Sequence, residues 1–85
     1  MEQITYTITD PMGIHARPAG QLVKMAAAFD CNIEIGTSAK MVDARRIMAV
    51  MGLALKQGDE IIITLDGPDE SAAAKDFETF LQSNL

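Results

Sequence analysis

Between Gln3 and Thr9 apolar and polar residues alternate, Ile4, Tyr6 and Ile8 standing against Gln3, Thr5, Thr7 and Thr9. A period of two places each set on its own face of a strand, so the stretch predicts a strand with one buried face. Asp10-Pro11-Met12-Gly13 is turn chemistry and ends it. From Ala16 to about Ala28 the period becomes helical, with Ala19, Leu22, Val23, Ala26 and then Phe29 on one side. Cys31–Gly36 predicts a second strand with Ile33 and Ile35 on one face, and Thr37–Asp43 a short third strand, paired to it as a hairpin through Gly36-Thr37. Arg46–Leu55 returns to helical spacing, with Ile47, Val50, Met51 and Ala54 as its stripe and Gly58 as its stop. Glu60–Leu65 is isoleucine-rich and predicts a central strand. Gly67-Pro68-Asp69-Glu70 opens a last helix with acids in its first turn, and Ala73, Phe77, Phe80, Leu81 and Leu85 give it a buried stripe.

The order strand, helix, strand, strand, helix, strand, helix, with short connections, points to an α+β fold in which helices pack on one face of an antiparallel sheet. No repeat, linker or low-complexity segment divides the 85 residues, so one domain over 1–85 is expected. A chain of this size buries roughly 60–65% of its unfolded surface, enough to fold alone but with little core to spare. A hydrophobic fraction of 48% suits a compact soluble domain. No apolar run is long enough to span a bilayer, and the alternating start lacks the charged region of a signal peptide, so a cytoplasmic protein is expected. Cys31 is the only cysteine, which excludes an internal disulfide and reads as a small buried hydrophobe at a strand start.

Charge sharpens this picture. The net charge is −5, but it is unevenly spread. From Asp59 to Glu78 there are seven acids against the single base Lys75, whereas the other six bases lie between Arg17 and Lys56. An acidic chain is a poor nucleic-acid binder, because such binding draws on many Lys and Arg contacts to phosphates. A basic patch on a polarised surface would instead steer an acidic protein partner.

The only histidine, His15, stands in Gly13-Ile14-His15-Ala16-Arg17-Pro18. Pro18 signals a helix start, because its missing N–H costs nothing in the first turn. His15 then lies just before a helix N-terminus, where free backbone N–H groups and the helix dipole favour an anion. Arg17 adds a planar guanidinium that can grip phosphate oxygens as a fork. A nucleophilic imidazole beside an anion site reads as a histidine that carries a phosphoryl group. With no second histidine or nearby cysteine, a histidine-based metal site is not expected. Neither a Gly-rich phosphate loop nor any other nucleotide motif occurs, and no cofactor is expected.

Gly-Ile-His-Ala-Arg-Pro-Ala around residue 15 resembles the active-site signature of the HPr family, the histidine-containing phosphocarriers of the bacterial sugar phosphotransferase system. The length, the Ile47-Met48-x-Val50-Met51 segment, the Gly58-Asp59-Glu60-Ile61 approach to a late strand and the closing acidic-start helix extend the resemblance over essentially the whole chain. It implies an open-faced β-sandwich of order βαββαβα, four antiparallel strands covered on one face by three helices. It also implies that His15 accepts a phosphoryl group on its δ1 nitrogen from enzyme I and passes it to the A domains of sugar-specific enzymes II. Arg17 is then the charge partner, and the backbone N–H groups of Ala16 and Arg17 are phosphate donors. The matching docking positions are Gly20, Gln21 and Lys24, then Arg46, Ile47, Met48 and Met51. Met48 falls off the helix's stripe and offers a flexible, polarisable contact suited to several partners. A carrier with an exposed docking face is most simply a monomer.

Two departures stand out. Where Gram-positive HPr has a regulatory serine at the start of the second helix, this chain has Arg46, preceded by Arg45. Two cations at a helix N-terminus run against the dipole, and a lost serine cap costs about 1 kcal/mol. Asp43 is placed to cap the helix earlier. A conflict with local physics is a functional hint, and Arg45 and Arg46 are read here with Arg17 and Lys24 as a basic collar for acidic partners, the alternative being two solvated surface arginines. Kinase control at this position is expected to be absent, since Arg46 has no hydroxyl and Ser38, Ser71 and Ser83 lie elsewhere. The second departure is Gly52-Leu53-Ala54, where HPr proteins often carry glycine two residues later, which alters how the second helix ends. Other readings are a paralogue serving a different phosphotransfer chain, a regulatory binding module on the same fold, and an interaction domain with an incidental histidine.

Overall fold

The alternation of the strand segments sets the sheet. A computed structural model describing residues 1–85 has β1 (Glu2–Thr7), α1 (Ala16–Ala27), β2 (Asn32–Gly36), β3 (Met41–Asp43), α2 (Ile47–Gly52), β4 (Glu60–Asp66) and α3 (Glu70–Asn84). The strands form one sheet in the order β1-β4-β2-β3, every pairing antiparallel. Register places Ile4 opposite Ile63, and Ile35 opposite both Ile63 and Val42. The same face carries the fully buried Ile33, Ile61 and Leu65. The other face shows Gln3, Thr5, Glu34 and Asp43 to solvent. The order is βαββαβα, an open-faced sandwich with four strands and three helices, as expected.

Helical periodicity supplies the opposite wall of the core. Ala19, Leu22 and Ala26 of α1 are buried, with Val23 and Phe29 partly so. The stripe expected in the last helix is buried throughout: Ala73, Phe77, Phe80, Leu81 and Leu85. Phe77 is wholly enclosed, and burying a side chain of that class contributes on the order of 1.5–3 kcal/mol.

The structure corrects the second helix. Rather than running from Arg46 to Leu55 and stopping at Gly58, α2 covers Ile47–Gly52. Leu53 is its C-cap, and Ala54 turns out of the helix at φ 52°. Of its expected stripe only Val50 is buried; Ile47 and Met51 are 40% and 37% exposed, and Ala54 faces solvent. The third strand is shorter than Thr37–Asp43 because Thr37 and Lys40 exchange backbone hydrogen bonds, and the Thr37 hydroxyl accepts from the Ala39 N–H at 3.2 Å. The hairpin therefore turns at Ser38-Ala39, and Gly36 pairs with Met41 instead of forming the turn.

Asp69 stands at the N-cap of α3, yet its carboxylate does not cap that helix. It reaches across to accept the Asp30 and Cys31 N–H groups at 2.8 and 2.9 Å. Those bonds, the Asp30 N–H foremost, hold the carboxyl below its ordinary pKa. Cys31 is buried as expected, and burial, followed by the carboxylate of Asp69, pushes its thiol up to about 11.

Candidate functional site

The segment between β1 and α1 is fixed before the histidine is reached. Asp10 forms an Asx turn, its Oδ1 accepting the Met12 N–H at 2.8 Å while its carbonyl accepts the Gly13 N–H at 3.0 Å. Gly13 adopts φ +64°, and a Cβ there would lie 2.3 Å from the Leu55 carbonyl oxygen. Glycine is required at this point both for its conformation and for this close approach. The next residue, Ile14, is buried and donates its N–H to that same Leu55 carbonyl at 3.1 Å. On the other side, the backbone oxygen of Leu85 accepts the N–H groups of Thr9 and Asp10 and the Thr9 hydroxyl, the last at 2.8 Å. The loop is thus pinned by the segment that follows α2 and by the residue that closes α3.

His15 is the N-cap of α1, with extended backbone at φ −100° and ψ −174°. Its carbonyl accepts the first helical bond, from the Ala19 N–H at 3.0 Å. Its side chain makes no capping bond and is half-exposed. Pro18 is the third residue of the helix and has no N–H. Two N–H groups therefore stand free at this helix start, those of Ala16 and Arg17, with no acceptor in the chain. The arrangement can offer an anion two backbone donors and the dipole's positive end. Arg17 is exposed, and its guanidinium makes no hydrogen bond or ion pair within the protein.

His15, Arg17 and Gln21 line a cavity of about 370 Å³ together with Asp10, Ser83 and Asn84. Three of these were not legible as site residues. Asp10 reads as a turn residue, and Ser83 and Asn84 reach the site only because α3 runs back along the core to end there. No sequence signal connects positions so far apart. No group of three or more His, Cys, Asp or Glu side chains is placed to hold a metal ion.

The expected docking positions fall on two packed helices. Gly20 is half-buried, and a Cβ there would lie 3.9 Å from Cδ1 of Ile47, so α1 and the start of α2 approach closely. Gln21 and Lys24 are exposed on α1, and Arg46 is the exposed N-cap of α2, making no capping bond. Met48 is 79% exposed and, like Met51, fills no core gap. Arg45 does not join a basic collar. Its guanidinium donates to the carbonyls of Phe29 and Cys31 at 2.7 and 2.8 Å, tying the start of α2 to the loop before β2. Asp43 accepts the Arg45 N–H at 2.9 Å, one residue before the N-cap, so it shapes the approach to the helix rather than capping its first turn.

The chain matches a protein family described as the PTS HPr component phosphorylation site over residues 2–83. It is 44% identical to a phosphocarrier protein HPr of Lysinibacillus sphaericus over 81 residues, 95% of this chain and 92% of that one. The solved structure of the histidine-containing phosphocarrier protein of a Mycoplasma superposes with a TM-score of 0.92 at 38% identity, covering 96% of this chain and 93% of that one. HPr from Thermoanaerobacter tengcongensis gives 0.91 at 34% identity, covering 98% and 93%. An HPr dimer from that organism gives 0.76, covering 98% and 95%. No helix is long and apolar enough to cross a membrane.

Proposed function

The chain belongs to the HPr family of phosphocarrier proteins, and we propose that it works as the phosphoryl relay of a sugar phosphotransferase system in the cytoplasm, with His15 as acceptor. The imidazole Nδ1 lone pair forms a bond to phosphorus as phospho-enzyme I releases the group and keeps the electron pair of the broken bond. The reverse exchange delivers the group to an enzyme II A domain. No cofactor takes part, and the carrier acts as a monomer. Ala16 and Arg17 donate their backbone N–H groups to the phosphoryl oxygens, and the Arg17 guanidinium offsets their charge. Gly20, Gln21, Lys24, Arg46, Ile47, Met48 and Met51 form the docking face, an apolar centre with basic edges suited to acidic partners.

One observation carries this reading: an imidazole at a helix N-cap that leaves the helix's free N–H groups uncapped, beside an arginine with no partner of its own. The strength suits a relay. An anion at a helix start gains about 0.3–1 kcal/mol, up to roughly 2 in favourable geometries. A bias of about 2 kcal/mol shifts an equilibrium roughly 30-fold, so the group is held without being trapped.

The test is intact-mass analysis after incubation with enzyme I and phosphoenolpyruvate, followed by acid treatment. One acid-labile phosphoryl group, absent from His15→Ala, is expected. A phosphorylated His15→Ala protein, or no adduct on the folded wild type with enzyme I active on another carrier, would overturn the proposal.

A further inference from the structure

We propose that Asp10 tunes the transfer potential of the site, its fixed carboxylate lowering the stability of a phosphoryl group on His15. The inference rests on His15 being the acceptor. Asp10 is the only acidic side chain lining the cavity that His15 and Arg17 share. Its position is locked three ways: Oδ1 accepts the Met12 N–H at 2.8 Å, its carbonyl accepts the Gly13 N–H at 3.0 Å, and its own N–H donates to the Leu85 backbone oxygen at 2.8 Å. Pro11 follows and removes further freedom. The residue is half-buried, and the Met12 bond holds its carboxylate in the turn that borders the cavity.

A phosphoryl group brings a charge of about −1.5 to −2 near neutral pH. The only permanent cation lining the cavity is Arg17, so a phosphoryl group there would set its charge and that of Asp10 against a single guanidinium. Asp10 takes part in neither the bond that forms nor the bond that breaks. It acts through the field at His15: an uncharged imidazole is little affected, whereas the charged adduct is opposed. Two unit charges about 4 Å apart in water interact by roughly 1 kcal/mol, which is about fivefold in an equilibrium, and a larger charge at a greater distance gives a similar figure. The free N–H groups of Ala16 and Arg17 pull the other way, so the site combines a moderate hold with a built-in push.

Asp10 also builds the turn, and the test must separate the two roles. Asp10→Asn keeps a side-chain oxygen to accept from Met12 and removes the charge; Asp10→Ala removes both. Unlabelled Asp10→Asn protein is mixed with ¹⁵N-labelled wild type, catalytic enzyme I and phosphoenolpyruvate, and the phosphoryl group is allowed to distribute before mass analysis. At low salt the variant is expected to hold the group about fivefold more than the wild type, and this ratio should approach one near 1 M salt as the field is screened. Hydrogen exchange at the Met12 amide should match wild type in Asp10→Asn and quicken in Asp10→Ala. An even distribution at low salt overturns the inference, as does a preference that survives high salt, which would mark an effect of shape. If neither protein takes up a phosphoryl group while enzyme I charges another carrier, the acceptor role of His15 fails and this inference fails with it.

Discussion

Gly52 and Ala54 occupy each other's natural places, and exchanging them should stabilise the protein. Ala54 follows the C-cap of α2 at φ 52°, a left-handed conformation that costs a residue with a Cβ about 1–2 kcal/mol. Its side chain is exposed, so glycine forfeits no packing there. Glycine does lose more backbone freedom on folding, about 0.5–1 kcal/mol. The difference leaves Ala54→Gly more stable by about 0.5–1 kcal/mol, a rise of roughly 2–8 °C in Tm for a domain of this size. Gly52 is the reverse case: it closes the helix with ordinary backbone angles, and a Cβ there would meet nothing within 4 Å. Alanine should add up to about 0.8 kcal/mol through helix propensity alone. Urea and thermal unfolding followed by circular dichroism would measure both single variants and the exchange, with the urea m-value unchanged. A Tm for Ala54→Gly at or below that of the wild type, with Gly52→Ala stabilising as expected, would refute the claim that the left-handed alanine is strained.

Gly13→Ala should be the most damaging small substitution in the loop. It combines a left-handed backbone with a contact to the Leu55 carbonyl, at a cost of about 2 kcal/mol or more in urea unfolding, and it should slow phosphoryl uptake. Arg45→Ala and Arg46→Ala should separate cleanly. The first loses two charge-assisted bonds to carbonyls and about 2–3 kcal/mol of stability, while the second stays within about 0.5 kcal/mol of wild type yet weakens binding to an acidic partner at low salt. Asp69→Asn should flatten the acid limb of the stability curve. The folded carboxyl titrates below its ordinary 3.8, so its contribution is complete above that value and is lost as pH falls through the lower folded value; equal pH dependence of the two proteins below pH 3.8 would contradict this.

What could be read from the sequence followed from periodicity, and what could not followed from long-range contacts. Ile4, Tyr6 and Ile8, the stripe of α1 and the Phe77–Leu81 face of α3 all repeat often enough to fix element and orientation together. α2 spans less than two turns, and its apolar residues serve the surface as much as the core, so its spacing overstated its length. Its real end was hidden because alanine, a strong helix former, stands where glycine would have marked the stop. His15, Arg17 and the free N–H groups were legible because motif and helix start are local. Arg45 was misread because the carbonyls it serves belong to Phe29 and Cys31, and Asp10, Ser83 and Asn84 gather at the cavity only after the sheet and α3 are assembled.

The strand order has a consequence for synthesis. β1 has a single neighbour, β4, and the paired residues lie 53 to 63 positions apart, from Thr7 with Glu60 to Glu2 with Leu65. At about 5–20 residues per second a ribosome takes roughly 3–13 s to supply that partner. During this interval α1 and the β2–β3 hairpin have local contacts to form, while β1 waits with Ile4 and Ile8 uncovered. The loop bearing His15 sets later still, because Leu55 and Leu85 must both arrive to hold it. A chain released early therefore carries the whole histidine motif without the contacts that hold its loop, and the N-terminal strand is left without its only neighbour.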